Sequence, residues 1–303
     1  MLLFKRISQL QKYLESQRSS GQSIGFAPTM GALHSGHISL ISEAKKRGDL
    51  TVCSIFVNPT QFNDPKDLEK YPRTIDSDIE LLQQAQTDVL FLPEVGDIYP
   101  NGMATDNAAF DFGDLARVME GVMRPGHFAG MAQVVNLLLE AVGPDTLYMG
   151  QKDFQQVAIV RRMLLLQQSA IELVMCATVR EQSGLAMSSR NSRLSPEERV
   201  IAAKISHILA AAATQIDTHT PEQVQAKAIK SIEDEPAFRL EYFEVVDAIT
   251  LQSIESWHQT DYAVACVALW VAGVRLIDNM ILYAPMPPSE ANIEYDDDTE
   301  VYY

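Results

Sequence analysis

The sequence predicts an α/β fold, with a doubly wound parallel sheet followed by a smaller C-terminal α+β domain. Through the first part of the chain, short apolar runs typical of strands alternate with segments of helical periodicity. After about residue 185 the pattern changes to two helices and then three strand-like runs with short connections, which is typical of an antiparallel sheet. We therefore expect a parallel-sheet domain over residues 1–184, an α+β domain over residues 185–285 and an acidic tail over residues 286–303.

The first predicted domain begins with MLLFKRISQLQKYLESQ, whose pattern is that of an amphipathic helix rather than a signal peptide. Strand and helix signals then alternate, as parallel strands joined by helical crossovers require. Leu50–Val57 is almost continuously apolar, as expected of a strand that helices cover on both faces. The predicted strands are Ser23–Ala27, Leu50–Val57, Asp88–Leu92, Thr146–Met149 and Ile171–Thr178, and the predicted helices are Gly36–Lys46, Thr74–Gln86, Met131–Val142 and Phe154–Gln167.

Two helix-start signals open the second predicted domain. Ser195 and Thr220 are each an N-cap residue followed by proline and glutamate in the first turn. The first of these helices is rich in alanine and is predicted to extend to about Ala213. The three strand-like runs that follow are Leu240–Val246, Tyr262–Val271 and Val274–Leu282.

Composition excludes several classes of protein. Hydrophobic residues make up 47% of the chain, enough to bury a core, and no apolar run approaches the ~18 residues that cross a membrane. The formal net charge of −16 opposes a nucleic-acid partner. Cys53, Cys176 and Cys266 each lie in an apolar run without metal-ligand spacing, so we expect buried, reduced thiols and a cytoplasmic location.

The segment FAPTMGALHSGH places two histidines where a predicted strand gives way to a helix. In a doubly wound sheet, ligands bind at the carboxyl ends of the strands, where the first turn of a helix offers free amides and a positive dipole. Gly36 lets the backbone approach a ligand, and the imidazoles of His34 and His37 can donate hydrogen bonds to phosphate oxygens. The two histidines could instead share a zinc ion, although no third ligand is evident nearby, or the spacing could be accidental.

Two further loops are candidates for a phosphate site. GLAMSSRNSR, from Gly184 to Arg193, supplies serines and two arginines, and its alternative is a polar interdomain loop whose serines cap a helix. GQKDFQQ, from Gly150 to Gln156, follows a predicted strand, and its alternative is an ordinary strand–helix loop with a solvated lysine. Three such loops at one edge of a sheet favour a shared anionic ligand.

Seven short motifs carry a resemblance to a known family: PTMGALHSGH, SIFVNPTQF, YPRT, RPGHFAGM, GQKDFQQ, GLAMSSRN and RLIDN. With them, the chain resembles the pantothenate synthetase (pantoate–β-alanine ligase) family over about residues 1–284. H-x-G-H marks a whole nucleotidyltransferase superfamily with a Rossmann-like fold, and the other motifs narrow the resemblance. It implies an enzyme that uses ATP to convert (R)-pantoate into pantoyl adenylate and pyrophosphate. β-Alanine then attacks the adenylate, and pantothenate and AMP are released.

The resemblance also implies site residues. The catalytic set would be His34, His37, Lys152, Ser188, Ser189 and Arg190, whose donors neutralise charge on the phosphates. The ATP site would be formed by Met30, Gly31, Ala32, Leu33, His34, Ser35, Gly36, His37, Gly150, Gln151, Lys152, Asp153, Val179, Met187, Ser188, Ser189 and Arg190. Gln61 and Gln156 would bind pantoate, and Gln61 also β-alanine, because an amide both donates and accepts hydrogen bonds.

Other positions in the motifs have smaller implied roles. Asn58 and Tyr71 are expected near the site of the second step. Arg124 would attract the pantoate carboxylate, unless it forms a structural ion pair, and His127 is expected to be a structural hydrogen-bonding residue.

The resemblance further implies Mg²⁺ bound with ATP, a homodimer, and a C-terminal domain that acts as a lid. Asp78 is a candidate metal ligand. The chain has Gln151 where the family usually has glutamate, which removes a charge beside the nucleotide site. Two other functions compete with the ligase: another nucleotidyltransferase or a tRNA synthetase of the same superfamily, and a non-catalytic nucleotide sensor.

Overall fold

The structure is a computed structural model that describes residues 1–61, 69, 71–100, 102 and 110–283, with the backbone alone of Gln61. Within these residues, nine strands form two sheets. The six-stranded sheet consists of β1 (Leu2–Phe4), β2 (Ile24–Thr29), β3 (Leu50–Ile55), β4 (Val89–Phe91), β5 (Thr146–Gly150) and β6 (Glu172–Cys176). Its order is β1-β4-β3-β2-β5-β6, and every neighbouring pair is parallel. The topological switch point therefore lies between β2 and β5, where a doubly wound sheet opens a crevice for ligands.

Helices cover both faces of this sheet. They are α1 (Ile7–Ser19), α2 (Ser35–Lys46), α3 (Ile75–Gln84), the short α4 (Val95–Ile98) and α5 (Glu120–Met123), α6 (His127–Val142) and α7 (Phe154–Leu166). Successive strand residues face opposite layers, as the pleat of a strand requires. Phe26 packs in the cluster that contains residues of α1, α6 and α7, whereas Ala27 packs in the cluster that contains residues of α2 and α3. The predicted α/β fold with a doubly wound parallel sheet is confirmed.

The C-terminal part consists of two helices and a three-stranded antiparallel sheet. Its elements are α8 (Pro196–Ala213), α9 (Pro221–Glu233), β7 (Phe238–Asp247), β8 (Ala263–Val271) and β9 (Val274–Tyr283). Both predicted helix starts are confirmed. The Ser195 hydroxyl accepts from the Glu198 amide at 3.2 Å while the Glu198 carboxylate accepts from the Ser195 amide at 2.7 Å. The proposed boundary at residue 184 lies in the connection between β6 and α8 and stays a prediction.

The N-terminus differs from the sequence prediction. A helix over the whole first segment was wrong, because Leu2–Phe4 form β1 and helical structure starts only at Ile7. These residues extend the sheet by pairing with β4: the Leu2 amide donates to the Asp88 carbonyl and the Leu92 amide to the Phe4 carbonyl, both at 2.8 Å. Parallel pairing with β4 therefore replaces the first helical turn.

Two further expectations concern membranes and thiols. Across the part of the chain that the structure describes, every helix is too short or too polar to span a membrane. Cys53, Cys176 and Cys266 are free and buried, as predicted. Burial raises the pKa of the Cys53 thiol to about 12 and that of the Cys176 thiol to about 11, and it also raises the pKa of Cys266.

Candidate active site

A cavity of about 290 Å³ lies at the carboxyl edge of the six-stranded sheet, beside the switch point. Its walls come from the end of β2 and the start of α2, from the end of β5, from the loop after β6, and from β9 of the other sheet. His34, Lys152 and Arg190 all line it, so the three loops picked out in the sequence meet at one place. The cavity thus gathers cations and hydrogen-bond donors in a chain whose net charge is −16.

The turn after β2 is held in an unusual backbone conformation. Gly31 and Ala32 both have positive φ, at 80° and 50°. The buried Asp78 carboxylate accepts from the amides of Ala32 at 3.0 Å and Leu33 at 2.8 Å, and also from the Thr74 hydroxyl at 3.1 Å. Because these contacts engage both carboxylate oxygens, the geometry favours a backbone clamp for Asp78 over the predicted role of metal ligand.

The backbone fixes the tautomers of the two histidines. The Nδ1 atom of His34 accepts from the Gly36 amide at 3.2 Å, and that of His37 accepts from the His34 amide at 3.3 Å. A ring nitrogen that accepts carries no proton, so each neutral imidazole has its proton on Nε2. Burial, with Lys152 adding to it, lowers the pKa of His34 to about 4, and burial together with His34 lowers that of His37 to about 3. Both rings are therefore neutral hydrogen-bond donors near pH 7.

Gly36 is required by the ring beside it rather than by its backbone angle. A Cβ atom at this position would lie 2.9 Å from Cε1 and 3.0 Å from Nδ1 of His34. Any larger residue would displace the His34 ring from the amide that orients it.

The short turn after β5, Gln151–Asp153, carries the lysine. The Lys152 side chain is 17% exposed, and its Nζ atom lies 3.7 Å from Oδ1 of Asp153. Desolvation would raise the pKa of Asp153, but the cations Lys152 and Arg190 outweigh it and hold the pKa below its ordinary value. Asp153 is therefore ionised beside the cavity, and the loop offers a paired cation.

The third loop closes the cavity from the side of β6. The Ser188 hydroxyl accepts from the Arg190 amide at 3.3 Å and caps the turn Ser189–Arg193. The Ser35 hydroxyl donates to the sulfur of Met187, which joins this loop to the start of α2. Burial raises the pKa of Tyr71, which hydrogen-bonds Ser189. The loop thus combines a helix-type cap with contacts to the opposite wall.

The structure places the predicted site residues in three groups. Those that line the cavity are Met30, His34, Gly36, His37, Gly150, Lys152, Asp153, Gln156, Val179, Met187, Ser188, Ser189 and Arg190, together with Tyr71, Arg124 and His127. Those that shape the adjoining loops without lining it are Gly31, Ala32, Leu33, Ser35 and Gln151. The side chain of Gln61 lies outside the described residues, so its predicted contacts with pantoate and β-alanine stay predictions.

Asn58 and Arg124 have structural partners. Asn58 is 1% exposed; its amide donates to the Thr60 hydroxyl at 2.9 Å and accepts from the Tyr99 hydroxyl at 3.0 Å, so it anchors the loop after β3. Arg124 lies 3.2 Å from Nε2 of His127 and 4.0 Å from the Glu120 carboxylate. Arg124 therefore combines a place on the cavity wall with a long ion pair.

Glu120, Tyr242 and Arg275 also line the cavity, and sequence reasoning did not assign them to the site. The Glu120 carboxylate accepts from both Nη atoms of Arg275, at 2.8 and 2.6 Å, and from the Tyr242 hydroxyl at 2.8 Å. This buried ion pair connects α5 to β9 of the antiparallel sheet. The sequence contains one sign of this ion pair, the motif RLIDN, which places an arginine, an aspartate and an asparagine in an otherwise apolar strand.

The donor set around the cavity fits magnesium only as a partner of phosphate. Among the described residues, no three or more histidine, cysteine, aspartate or glutamate side chains cluster as metal ligands. Asp153 is an ionised acid at the cavity wall, and Mg²⁺ commonly takes one or two carboxylates plus substrate phosphates. An ion here would therefore depend mainly on phosphate oxygens.

Comparisons with known proteins agree with this geometry. The sequence model described as "Pantoate-beta-alanine ligase" matches residues 2–281. Proteins named pantothenate synthetase from Porphyromonas gingivalis and Bacteroides fragilis are each 47% identical over 280 residues, covering 92% of this chain and 99% and 98% of the relatives.

Solved structures match over the same length. The pantothenate synthetase of Thermus thermophilus superposes with a TM-score of 0.86 at 37% identity, covering 93% of this chain and all of the other. The pantoate–β-alanine ligase of Francisella tularensis, solved in complex with β,γ-ATP and β-alanine, gives a TM-score of 0.74 at 37% identity and covers 93% of this chain and 98% of the other. Since family model, relatives and folds agree over nearly the whole described chain, this chain belongs to the pantoate–β-alanine ligase family.

Proposed function

We propose that this chain joins (R)-pantoate to β-alanine at the cavity, with ATP as the activating substrate, and so forms pantothenate. In the first step a pantoate carboxylate oxygen bonds to the α-phosphorus of ATP and the bond to pyrophosphate breaks. In the second step the β-alanine amine attacks the acyl carbon, AMP leaves with the former carboxylate oxygen, and the nitrogen loses a proton. The observation that carries the proposal is the convergence of His34, Lys152 and Arg190 on one cavity.

The side chains that we assign to the first step all serve charge stabilisation. The Nε2–H groups of His34 and His37 donate to phosphate oxygens, and because both rings are neutral they act as oriented donors without titrating. Lys152 and Arg190 supply the positive charge that a triphosphate needs. The hydroxyls of Ser188 and Ser189 would add shorter-range donors. The remaining ATP contacts are proposed from the family resemblance.

The pantoate end of the cavity has a different chemistry. Val134, Val135 and Leu138 of α6 give it an apolar wall, which suits the two methyl groups of pantoate. Gln156 lines the same cavity and can hydrogen-bond a hydroxyl or a carboxylate. We assign pantoate to this wall, Gln156 and Gln61 to its polar groups, and Gln61 also to β-alanine.

Four further assignments belong to the proposal: three come from the resemblance and the location comes from the cysteines. Mg²⁺ bound with ATP would neutralise phosphate charge, with Asp153 the acidic side chain at hand. The cytoplasm is the proposed location, which three free, buried thiols support. The C-terminal sheet would act as a lid, which the place of β9 on the cavity wall supports. A homodimer would cover the edge of β1, where Leu2 and Leu3 are 47% and 44% exposed.

The test is the substrate requirement for turnover. The ligase should release AMP and pyrophosphate continuously only when ATP, pantoate and β-alanine are all present. A nucleotidyltransferase would turn over without β-alanine, and a nucleotide sensor would bind ATP without producing AMP. Either result would refute the proposal.

A histidine variant tests the mechanism separately. Because His37→Ala removes an oriented donor, it should lower the single-turnover rate of adenylate formation by about 10²-fold or more. His258→Ala, at an exposed histidine in the turn Trp257–Gln259, is the control and should leave the rate unchanged. An unaffected rate in His37→Ala would remove this residue from the mechanism.

A further inference from the structure

Strand β9 carries polar side chains that cross from the C-terminal sheet to the loops of the parallel sheet. Asp278 and Asn279 are 4% and 2% exposed in the middle of this strand. The pairs are Arg275 with Glu120, Asp278 with Arg180, and Asn279 with the turn Gln151–Asp153. The partners lie in α5, in the loop after β6 and in the turn after β5, so one strand contacts three segments that contribute to the cavity wall.

The side chain of Asn279 directs all of its hydrogen-bonding groups to a single turn. Its Nδ2 atom donates to the carbonyl oxygens of Gln151 and Lys152, each at 2.9 Å. Its Oδ1 atom accepts from Nε2 of Gln151 at 3.1 Å. With two donors and one acceptor engaged and almost no exposure, this amide has one orientation that satisfies it.

The turn that Asn279 holds is the one that carries Lys152. Gln151–Asp153 forms a single 3₁₀ turn between the end of β5 and the start of α7, so its carbonyl groups depend on partners outside the turn. The amide of Asn279 reaches the Lys152 carbonyl from the second domain. A residue of the C-terminal sheet therefore fixes the backbone of Lys152, and with it the point from which the Lys152 side chain extends.

We propose that Asn279 is a positioning residue that fixes, from the C-terminal sheet, the turn that presents Lys152 to the phosphates of the nucleotide. The inference rests on the proposed function, because it takes the Lys152 ammonium as a donor to the triphosphate. The proposal also gives Gln151 a role in this chain, because its neutral amide donates to Oδ1 of Asn279. A glutamate carboxylate at position 151 would have no proton to donate to that atom.

The test is a double-mutant cycle with two different replacements of Asn279. Asn279→Asp keeps the shape but turns a donor into an acceptor that faces two carbonyl oxygens. Asn279→Leu keeps the approximate size and removes the donors without adding charge. Both should lower the single-turnover rate of adenylate formation by about 10- to 100-fold, with KM for pantoate unchanged, since a displacement of ~1 Å costs about that much.

The cycle separates positioning from a general loss of structure. If Asn279 acts through Lys152, neither replacement should lower the rate further once Lys152→Met has removed the ammonium. A residue that only stabilises the junction would give the same fold-loss in both backgrounds, because effects of independent changes add. Equal losses would overturn the proposal. If Asn279→Asp or Asn279→Leu fails to fold, Asn279→Ser, which keeps one donor, replaces it in the same cycle. No further loss in the Lys152→Met background would support the proposal, and equal losses in both backgrounds would overturn it.

A matched control makes the same chemical change elsewhere. Asn136 is an asparagine on α6 whose exposed amide bonds with Glu140 at 2.7 Å and Gln167 at 2.6 Å. Asn136→Asp should leave the adenylation rate unchanged. If the unaltered chain forms no pyrophosphate from ATP and pantoate, the proposed function fails; if it is active but the cycle is additive, the positioning role alone fails.

Discussion

Replacing Glu120 with glutamine should destabilise the protein by about 3 kcal/mol. The Glu120 side chain is 10% exposed and its carboxylate faces the guanidinium of Arg275 in a two-point pair. The amide of glutamine would carry no charge and would point one of its N–H groups at an N–H group of Arg275. The replacement therefore removes a charge-assisted hydrogen bond and adds a repulsive contact at the junction of the two sheets.

The expected loss of stability depends on the contacts that Arg275 keeps after the replacement. Breaking a buried ion pair by removing one partner costs about 3–5 kcal/mol, because a charge is left without compensation. Here the Nε atom of Arg275 still donates to the Glu241 carboxylate at 2.7 Å. Since Glu241 continues to balance the charge, we expect the lower end of that range.

The chain provides a matched pair at the surface. Arg47 binds Glu172 through two hydrogen bonds of 2.9 and 2.8 Å, but the two side chains are 38% and 51% exposed. Glu172→Gln makes the same chemical change to the same geometry in water. Its expected effect is less than about 1 kcal/mol.

Urea denaturation measures the difference between the two variants. The midpoint should fall clearly for Glu120→Gln and little for Glu172→Gln, with the dependence on urea unchanged in both. If Glu120→Gln loses less than about 1 kcal/mol, or no more than Glu172→Gln, burial does not strengthen this pair and the reasoning fails.

At low pH, Glu120 should no longer stabilise the folded state more than a glutamine at this position. Burial alone would raise the pKa of this carboxyl, but Arg275 outweighs burial and holds the pKa below its ordinary value of 4.5. An acid with a lowered pKa stabilises the folded state above the unfolded pKa and loses this contribution as the pH falls through the folded pKa. The gap in stability between the unaltered chain and Glu120→Gln should therefore be full above about pH 4.5 and shrink below it.

Three further predictions concern the turn after β2. Gly36→Ala should displace the His34 ring from the Gly36 amide and lower the adenylation rate by about 10²-fold. Gly96→Ala is the control and should leave the rate unchanged, because a Cβ atom there meets nothing within 4 Å. Equal rates in the two variants would contradict the close contact at Gly36. The ¹⁵N signals of His34 and His37 in the ligand-free protein should remain those of neutral rings protonated on Nε2 between about pH 5 and pH 8, and a titration near 6.5 would show that burial does not control them. Asp78→Asn keeps only one side-chain oxygen, so the amide of either Ala32 or Leu33 loses its acceptor. The free energy of unfolding, measured by urea denaturation, should fall by about 1–3 kcal/mol. No loss would show that stability does not depend on the clamp.

Local signals in the sequence were enough to predict most of the architecture. Ser195 and Thr220 start helices because a capping side chain, a proline and an acid act within one turn, which a sequence displays directly. The apolar run of β3 marks a strand covered on both faces. The three loops that meet at the cavity were predictable for the same reason, since each follows a parallel strand and such strands end at one edge.

Long-range pairing accounts for what the sequence did not predict. β1 is three residues long, and its strand conformation depends on the distant edge that β4 offers, with Leu2 opposite Val89. Glu120 and Arg275 are 155 residues apart, and Asn279 is 127 residues from Lys152. No periodicity connects such positions, so these contacts become visible only when the two sheets are placed together.

The three native cysteines have a practical consequence for following motion between the two sheets. Each thiol is buried and disfavours its thiolate, the form that reacts with maleimides and iodoacetamides. Fluorophores attached through one new surface cysteine on each sheet would therefore label the introduced positions in preference to the native ones. Energy transfer between the two dyes would then test the proposed closure of the C-terminal sheet in the otherwise unaltered sequence.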